Sequence, residues 1–325
     1  MTIPVHLLSG FLGAGKTTLL NALLRQRRMA NTGVLVNELG TIGIDHDLVL
    51  GGSDDMLLLD GGCLCCQPRG SVADGINRLV TASEHPPERL IVETSGATNP
   101  IPILEVLAMT PALRDRVHLA GVLTVIDAGQ GAEALQAHAE ARLQAACADR
   151  LAVSKIDLAR ASRSHTRLGP TLAALNIAAP RHVLDNGTPS PGLIDALLEA
   201  ERAPAGLSLR PLPAATARHD QPFETVALEF AGELDPGTVE TWIGEVLDAH
   251  GHNLLRVKGL LQLRGSDRPA VLQCVRDIVH PVSFADRPAE RDRNRVVAIG
   301  WNIHPDLLRA ALQDLADRAE QPTTG

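Results

Sequence analysis

Near the amino terminus, Gly10-Phe11-Leu12-Gly13-Ala14-Gly15-Lys16-Thr17 has the types and spacing G-x-x-x-x-G-K-T of a loop that cradles phosphate. Gly10, Gly13 and Gly15 allow the backbone to bend with its N–H groups turned inward, and the helix expected behind them adds positive potential at its N-terminus. Lys16 would bridge the β- and γ-phosphates. The Thr17 hydroxyl would complete a Mg²⁺ shell whose other ligands are mostly phosphate and water.

A second group of reactive side chains is Cys63-Leu64-Cys65-Cys66, preceded by Gly61-Gly62. Three thiolates with one further ligand make a tetrahedral site for Zn²⁺ or another thiophilic ion such as Cu(I); small buried thiols or a strained adjacent disulfide are the other reading. Acidic groups arrive at strand ends: Glu38 within Asn37-Glu38-Leu39-Gly40, and Glu93 within Glu93-Thr94-Ser95-Gly96. Glu93 is placed to hold Mg²⁺ or its water, and the Gly96 N–H to sense a γ-phosphate. For Glu38 and the acidic residues after it, a solvated loop is an equally good account. Ser154-Lys155-Ile156-Asp157 completes the set. The Asp157 carboxylate can accept from guanine N1–H and N2–H₂, whereas adenine would set an acceptor against it, so GTP is favoured over ATP.

Positioning these residues takes a regular alternation of elements. Short apolar runs at Val34–Val36, Met56–Leu59, Leu90–Val92, Leu119–Ile126, Arg150–Val153 and His182–Leu184 read as buried strands, each unloading polar residues at its C-terminal end. Helical spacing of Leu19, Leu20, Leu23 and Leu24, of Val72, Ile76, Leu79 and Val80, a stretch from Ala132 to Asp149, and Leu193–Leu198 fill the intervals. This is an α/β layered fold with a mainly parallel sheet and ligands along one edge. Residues 1–201 form that domain and 202–221 an irregular Pro- and Ala-rich linker. Residues 222–319 read as a smaller α+β domain, followed by a tail at 320–325. Its strands are Phe223–Phe230, Leu254–Leu263, Ala270–Val275 and Arg295–Trp301, and its helices begin at Asp235-Pro236 and Pro305. Arg256, Lys258, Arg264 and Arg268 form either a docking face or a solvated charge run, and His250-Gly251-His252 reads as a loop.

Composition narrows the function. The 325 residues carry a formal charge of −8, with no Tyr, four Phe and two Trp, which argues against nucleic acid as partner: there is no basic patch and no set of aromatic platforms for bases. No apolar run is long enough for a membrane span, and the first strand begins at the amino terminus, so a cytoplasmic protein is expected. Five Cys, three of them clustered, do not suggest a disulfide framework.

The phosphate loop, Asn37-Glu38-Leu39-Gly40, Gly62-Cys63-Leu64-Cys65-Cys66, Glu93-Thr94-Ser95-Gly96 and Ser154-Lys155-Ile156-Asp157, in this order, resemble the CobW-type P-loop GTPases, relatives of the hydrogenase and urease nickel-insertion GTPases. Arg256-Val257-Lys258-Gly259 and Val296–Trp301 resemble the CobW C-terminal domain. The resemblance implies GTP hydrolysis coupled to handling of a transition metal, zinc most often and cobalt in some members, for delivery to a client protein. It implies catalytic roles for Lys16, Glu38 and Glu93, and nucleotide contacts from Gly10, Gly13, Ala14, Gly15, Lys16, Thr17, Thr18, Gly96, Ser154, Lys155 and Asp157. Mg²⁺ would lie at Thr17 and Glu93, and the transported metal at Cys63, Cys65, Cys66 and Glu38. The client would dock on the C-terminal domain, and the chain would act as a monomer or as a homodimer governed by nucleotide or metal. Two positions depart from the family pattern: Thr41 stands where an acidic residue is usual, and Ser154 where the guanine motif usually begins with Asn. A nucleotide-dependent activator with a purely structural metal site, and a P-loop kinase of small molecules, are the competing readings.

Overall fold

The structure is a computed structural model, and it describes residues 2–37, 56–59, 70–81, 86–159, 163–176, 179–202, 223–275, 278–279, 282–284 and 293–320. The chain divides into two compact units, Met1–Leu172 with Ala179–Glu201, and Ala173–Ala178 with Arg202–Gly325.

In the first unit, β1 (Ile3–Gly10) leads into α1 (Lys16–Leu24), followed by β2 (Thr32–Asn37), β3 (Met56–Leu59), α2 (Gly70–Thr81), β4 (Arg89–Glu93), α3 (Ile101–Met109) and α4 (Pro111–Arg114). Then come β5 (Val117–Asp127), α5 (Gly131–Ala137), α6 (Ala139–Cys147), β6 (Arg150–Ser154), α7 (Ile156–Ala159), α8 (Arg163–Leu175), β7 (Arg181–Val183) and α9 (Pro191–Arg202). The strands form one seven-stranded sheet in the order β3-β2-β4-β1-β5-β6-β7. Every neighbouring pair is parallel. Parallel neighbours require crossovers, and the helices that make them cover the sheet, which is why β4 and β6 are buried along their whole length. Leu19, Leu20 and Leu23 of α1 and Leu193, Ile194 and Leu197 of α9 pack with Leu8, Val34, Ile91, Val125 and Ala152 into one aliphatic core, as the shortage of aromatics requires. Because β1 lies between β4 and β5, the residues leaving all three strands meet at one edge.

The helix expected from Ala132 to Asp149 is instead two helices, broken at His138, whose backbone is extended. Two contacts compensate the break. The Arg142 guanidinium donates to the carbonyls of Leu135 (3.0 Å) and Gln136 (2.9 Å) at the end of α5, and the His138 ring stacks on Phe11 of the phosphate loop at 4.5 Å.

The second unit contains β8 (Phe223–Phe230), α10 (Pro236–His250), β9 (Leu254–Leu261), β10 (Ala270–Val275), β11 (Ile278–Val279), β12 (Ser283–Phe284), β13 (Asn294–Trp301) and α11 (Pro305–Glu320). Its sheet runs β11-β10-β9-β13-β8, all antiparallel, with β12 beside β10. Asp235 caps α10 by accepting from the Gly237 amide (2.9 Å). Val239, Trp242, Ile243 and Val246 of α10 and Leu308, Leu312 and Leu315 of α11 cover one sheet face. Trp242 is fully buried there, with its Nε1–H donating to the Ala311 carbonyl at 2.8 Å.

Three expectations need correction here. β9 ends at Leu261 rather than Leu263, because Leu263 turns away to bridge Leu234. His250 belongs to the last turn of α10, so only Gly251 and His252 of that segment lie in the turn. The four cations do not share a face: Arg256 and Lys258 are buried in the central strand β9, while Arg264 and Arg268 are exposed beyond its end. Among the described residues no helix is long and apolar enough to cross a membrane.

Candidate functional site

The loop between β1 and α1 carries out the turn that its glycines permit. Gly10 has φ +144°, and a Cβ there would come within 2.5 Å of the Val125 carbonyl oxygen, so no other residue fits against β5. Gly13 and Gly15 follow at φ +72° and +98°, Gly15 being the residue that opens α1. Ala14 is buried, its N–H donating to the Phe11 carbonyl at 3.1 Å. Lys16, itself buried, folds back so that Nζ donates to the Gly10 carbonyl at 2.9 Å. Thr18 is exposed on the first turn of the helix.

The sheet brings Glu93 to this loop. Thr17 Oγ1 donates to Glu93 Oε1 at 2.8 Å, with Glu93 only 4% exposed. A hydroxyl at a helix N-terminus beside a buried carboxylate is an all-oxygen pair of the kind Mg²⁺ takes with a nucleotide, so these residues fit that ion. The turn after Glu93 lies directly on the loop. A Cβ on Gly96 would meet Leu12 Cα at 2.7 Å and Leu12 N at 2.8 Å, so only glycine allows the two backbones to approach this closely.

On the other side, β6 ties its end to the same loop twice. Ser154 Oγ donates to the Ala14 carbonyl (2.7 Å), with the Ile126 carbonyl at 3.3 Å, and Lys155 Nζ donates to the Gly13 carbonyl (2.7 Å). Thus Ser154, the departure from the usual Asn, still places a side-chain donor on the phosphate loop. Lys155 has φ +56°, and Asp157 projects from α7 as an exposed carboxylate.

Three contributors went unnoticed in the sequence. Asp127, at the end of β5, accepts from the Gly129 and Gln130 amides through Oδ1 (2.7 and 3.1 Å) and from Lys155 Nζ through Oδ2 (2.8 Å). Its signal was the one that revealed Glu93, a carboxylate delivered at a strand's C-terminal end. Gln144 of α6 is fully buried and donates to the Gly96 and Thr98 carbonyls. Nothing in its Ala- and Gln-rich surroundings marked it out. The turn Asp185–Thr188 is the third: a Cβ on Gly187 would meet Thr18 Cγ2 at 2.7 Å, which puts this turn beside the start of α1.

Gly10, Gly13, Ala14, Gly15, Lys16, Thr17, Glu93, Gly96, Ser154 and Lys155 therefore converge at one sheet edge, with Thr18 and Asp157 on its rim. Glu38, Cys63, Cys65 and Cys66 lie outside the described residues. Among the described residues no group of three or more His, Cys, Asp or Glu side chains is arranged to hold a metal ion.

Residues 4–182 match the family described as CobW/HypB/UreG, nucleotide-binding domain, and residues 223–316 match the cobalamin synthesis protein CobW C-terminal domain. The chain belongs to the CobW/HypB/UreG family. It is a P-loop GTPase by that membership and by the loop just described. The zinc chaperone YjiA of Escherichia coli K12 is 28% identical over 322 residues, covering 96% of this chain and 98% of that protein. The zinc-regulated GTPase metalloprotein activator 1 of Schizosaccharomyces pombe is 32% identical over 163 residues, covering 48% of this chain and 39% of its own length. In fold, the crystal structure of Zn(II)-bound YjiA GTPase from E. coli superposes with a TM-score of 0.70 at 24% identity, over 97% of this chain and 99% of that one.

Proposed function

We propose that this CobW-family GTPase is a metallochaperone, which binds a transition metal at Cys63, Cys65 and Cys66, with Glu38 as a further ligand, and passes it to a client protein under control of bound GTP. The observation that carries the nucleotide half is the convergence of Lys16, Thr17, Glu93 and Gly96 at one edge, where Thr17 meets Glu93 at 2.8 Å. Zinc is the metal we favour, because relatives over nearly the full length and over about half of the chain are named for zinc; cobalt is the other candidate. Lys155 and Asp157 hold the guanine, with Ser154 bracing the loop through Ala14. Thr17 and Glu93 would hold Mg²⁺, which would supply charge neutralisation for the nucleotide's phosphates. The second unit receives the client.

The protein's own groups do the rest. Lys16 exchanges its contact with the Gly10 carbonyl for phosphate oxygens, and the loop's inward N–H groups and the α1 N-terminus hold the remaining charge. The Gly96 N–H reads the γ-phosphate, so its loss on hydrolysis changes the turn packed on Leu12. The metal is the cargo whose affinity changes with that state.

A competitive zinc titration of the reduced protein with GDP and with a non-hydrolysable GTP analogue, repeated on Cys65→Ser, tests this. A tenfold or greater difference in affinity between nucleotides, about 1.4 kcal/mol of coupling, with tight binding lost in the variant, supports it. Equal affinity in both states would mean a structural metal, and the protein would then be an activator whose client binding alone responds to GTP.

A further inference from the structure

Gln144 is a fully buried polar side chain near the nucleotide edge that no phosphate, base or Mg²⁺ role accounts for. Its Nε2 donates to the carbonyl of Gly96 at 3.1 Å and to that of Thr98 at 3.0 Å, so one amide spans the whole turn that follows Glu93. The turn is closed inside itself by the Thr98 N–H donating to the Ser95 carbonyl at 3.1 Å. It is anchored upstream by the Thr94 N–H donating to the Leu8 carbonyl of β1 at 2.9 Å. On its other side Gly96 rests on the backbone of Leu12. The turn is therefore held between the phosphate loop and α6.

Gln144 is itself fixed. Its main-chain carbonyl accepts from Thr124 Oγ1 of β5 at 2.9 Å, and its neighbours Ala141, Ala145 and Ala146 are buried small residues that seat α6 closely against the sheet. The Gln144 side-chain Oε1 is buried with no hydrogen bond among the described residues. The hydroxyls of Thr94 and Thr98 are buried and make no hydrogen bond among the described residues. Among the described residues, Gln144 thus supplies a side-chain restraint on this turn's carbonyls that the Thr94 and Thr98 hydroxyls do not share.

We infer that Gln144 is a positioning residue for γ-phosphate recognition, which holds the Ser95–Thr98 turn so that the Gly96 N–H faces the end of the phosphate loop. The inference rests on the reading of Gly96 given above. Rotating the peptides around Gly96 would break hydrogen bonds from a buried amide, and an unpaired buried carbonyl is costly, so the turn keeps one orientation before nucleotide arrives. Gln144 touches neither base nor β-phosphate in this scheme, and its effect falls on GTP and not on GDP.

The test measures the affinity of the full-length protein for Mg²⁺ with a fluorescent non-hydrolysable GTP analogue and with the matching GDP derivative, in wild type, Gln144→Met and Gln144→Glu. Methionine keeps the length and removes the donor. We expect its affinity for the GTP analogue to fall about tenfold while that for GDP stays within about twofold. Glutamate can donate only when protonated, so its preference for the GTP analogue is expected to recover as the pH is lowered, a readout that remains if the methionine variant does not fold. Parallel losses for both nucleotides, or no pH dependence in the glutamate variant, would make Gln144 a packing residue and overturn the inference. A wild type whose affinities ignore the γ-phosphate would overturn the Gly96 reading itself, and this role with it.

Discussion

At the scale of single residues, the nucleotide edge is a set of side chains that hold backbone carbonyls of the phosphate loop. Lys16, Ser154 and Lys155 each donate to one, at Gly10, Ala14 and Gly13. Replacing Ser154 with Ala removes the Ala14 contact and should cost about 1–2 kcal/mol of stability, with weaker nucleotide binding, read by thermal melts and titration in parallel. Asp127→Asn separates two functions. The amide oxygen still accepts from Gly129 and Gln130, but the ion pair to Lys155 is lost. Affinity for GDP should fall about three- to tenfold at nearly constant melting temperature, since Lys155 is partly exposed and its pair partly screened. A large drop in melting temperature instead would mean that Asp127 serves the turn alone.

At the scale of elements, three neighbouring strands grip the last turn of α9 through Glu201. Its carboxylate accepts from His6 of β1 (3.1 Å) and from Arg89 Nε of β4 (2.8 Å), and it lies close to His118 of β5. Burial pushes the Glu201 carboxyl up, but hydrogen bonds and charge from His6 and Arg89 outweigh it and hold its pKa below the ordinary carboxylate range. Burial also holds His118 and His182 below the usual 6.5, with His6 adding to the effect at His118 and Arg150 at His182. Both imidazoles therefore protonate at lower pH in the folded chain than in the unfolded one, which takes up protons first as pH drops. Stability is full above 6.5 and declines as the pH falls from there toward the lowered folded values, whereas the Glu201 contribution persists until the acid range. Melting temperatures from pH 8 to 5 should show this decline, and His118→Gln should flatten it. In the second unit, burial lowers the Lys258 ammonium from 10.5 to about 7. The unfolded chain then binds more protons between these values, so stability from this residue rises with pH through that window. Lys258→Met should accordingly stabilise the protein more at pH 7 than at pH 10, measured by the same melts.

At the scale of the whole molecule, each unit has its own core, one aliphatic under a parallel sheet and one centred on Trp242 under an antiparallel sheet. Intrinsic hydrolysis by the full chain without a partner is expected to be slow, on the order of 10⁻⁴ to 10⁻² s⁻¹, as for P-loop GTPases that need a partner group to complete the site. Single-turnover phosphate release checks this. Several turnovers per second without a partner would contradict the proposed switch.

The sequence by itself determined the phosphate loop, the parallel α/β order and the second α+β unit, because each rests on local rules: glycine geometry, period-matched apolar runs and capping residues such as Asp235. It also ranked Thr17 with Glu93, since both arrive at strand or helix ends. Only the tertiary structure decided that Ser154 braces Ala14, that Asp127 and Gln144 support the site, and that Arg256 and Lys258 are interior rather than a docking face. Those facts depend on sheet order and on which strand is central, and contacts between residues such as Gln144 and Gly96, far apart along the chain, leave no pattern in the linear order of amino acids. The His138 break has the same origin: helical spacing ran through it, and a stack on Phe11 across the fold made the interruption stable.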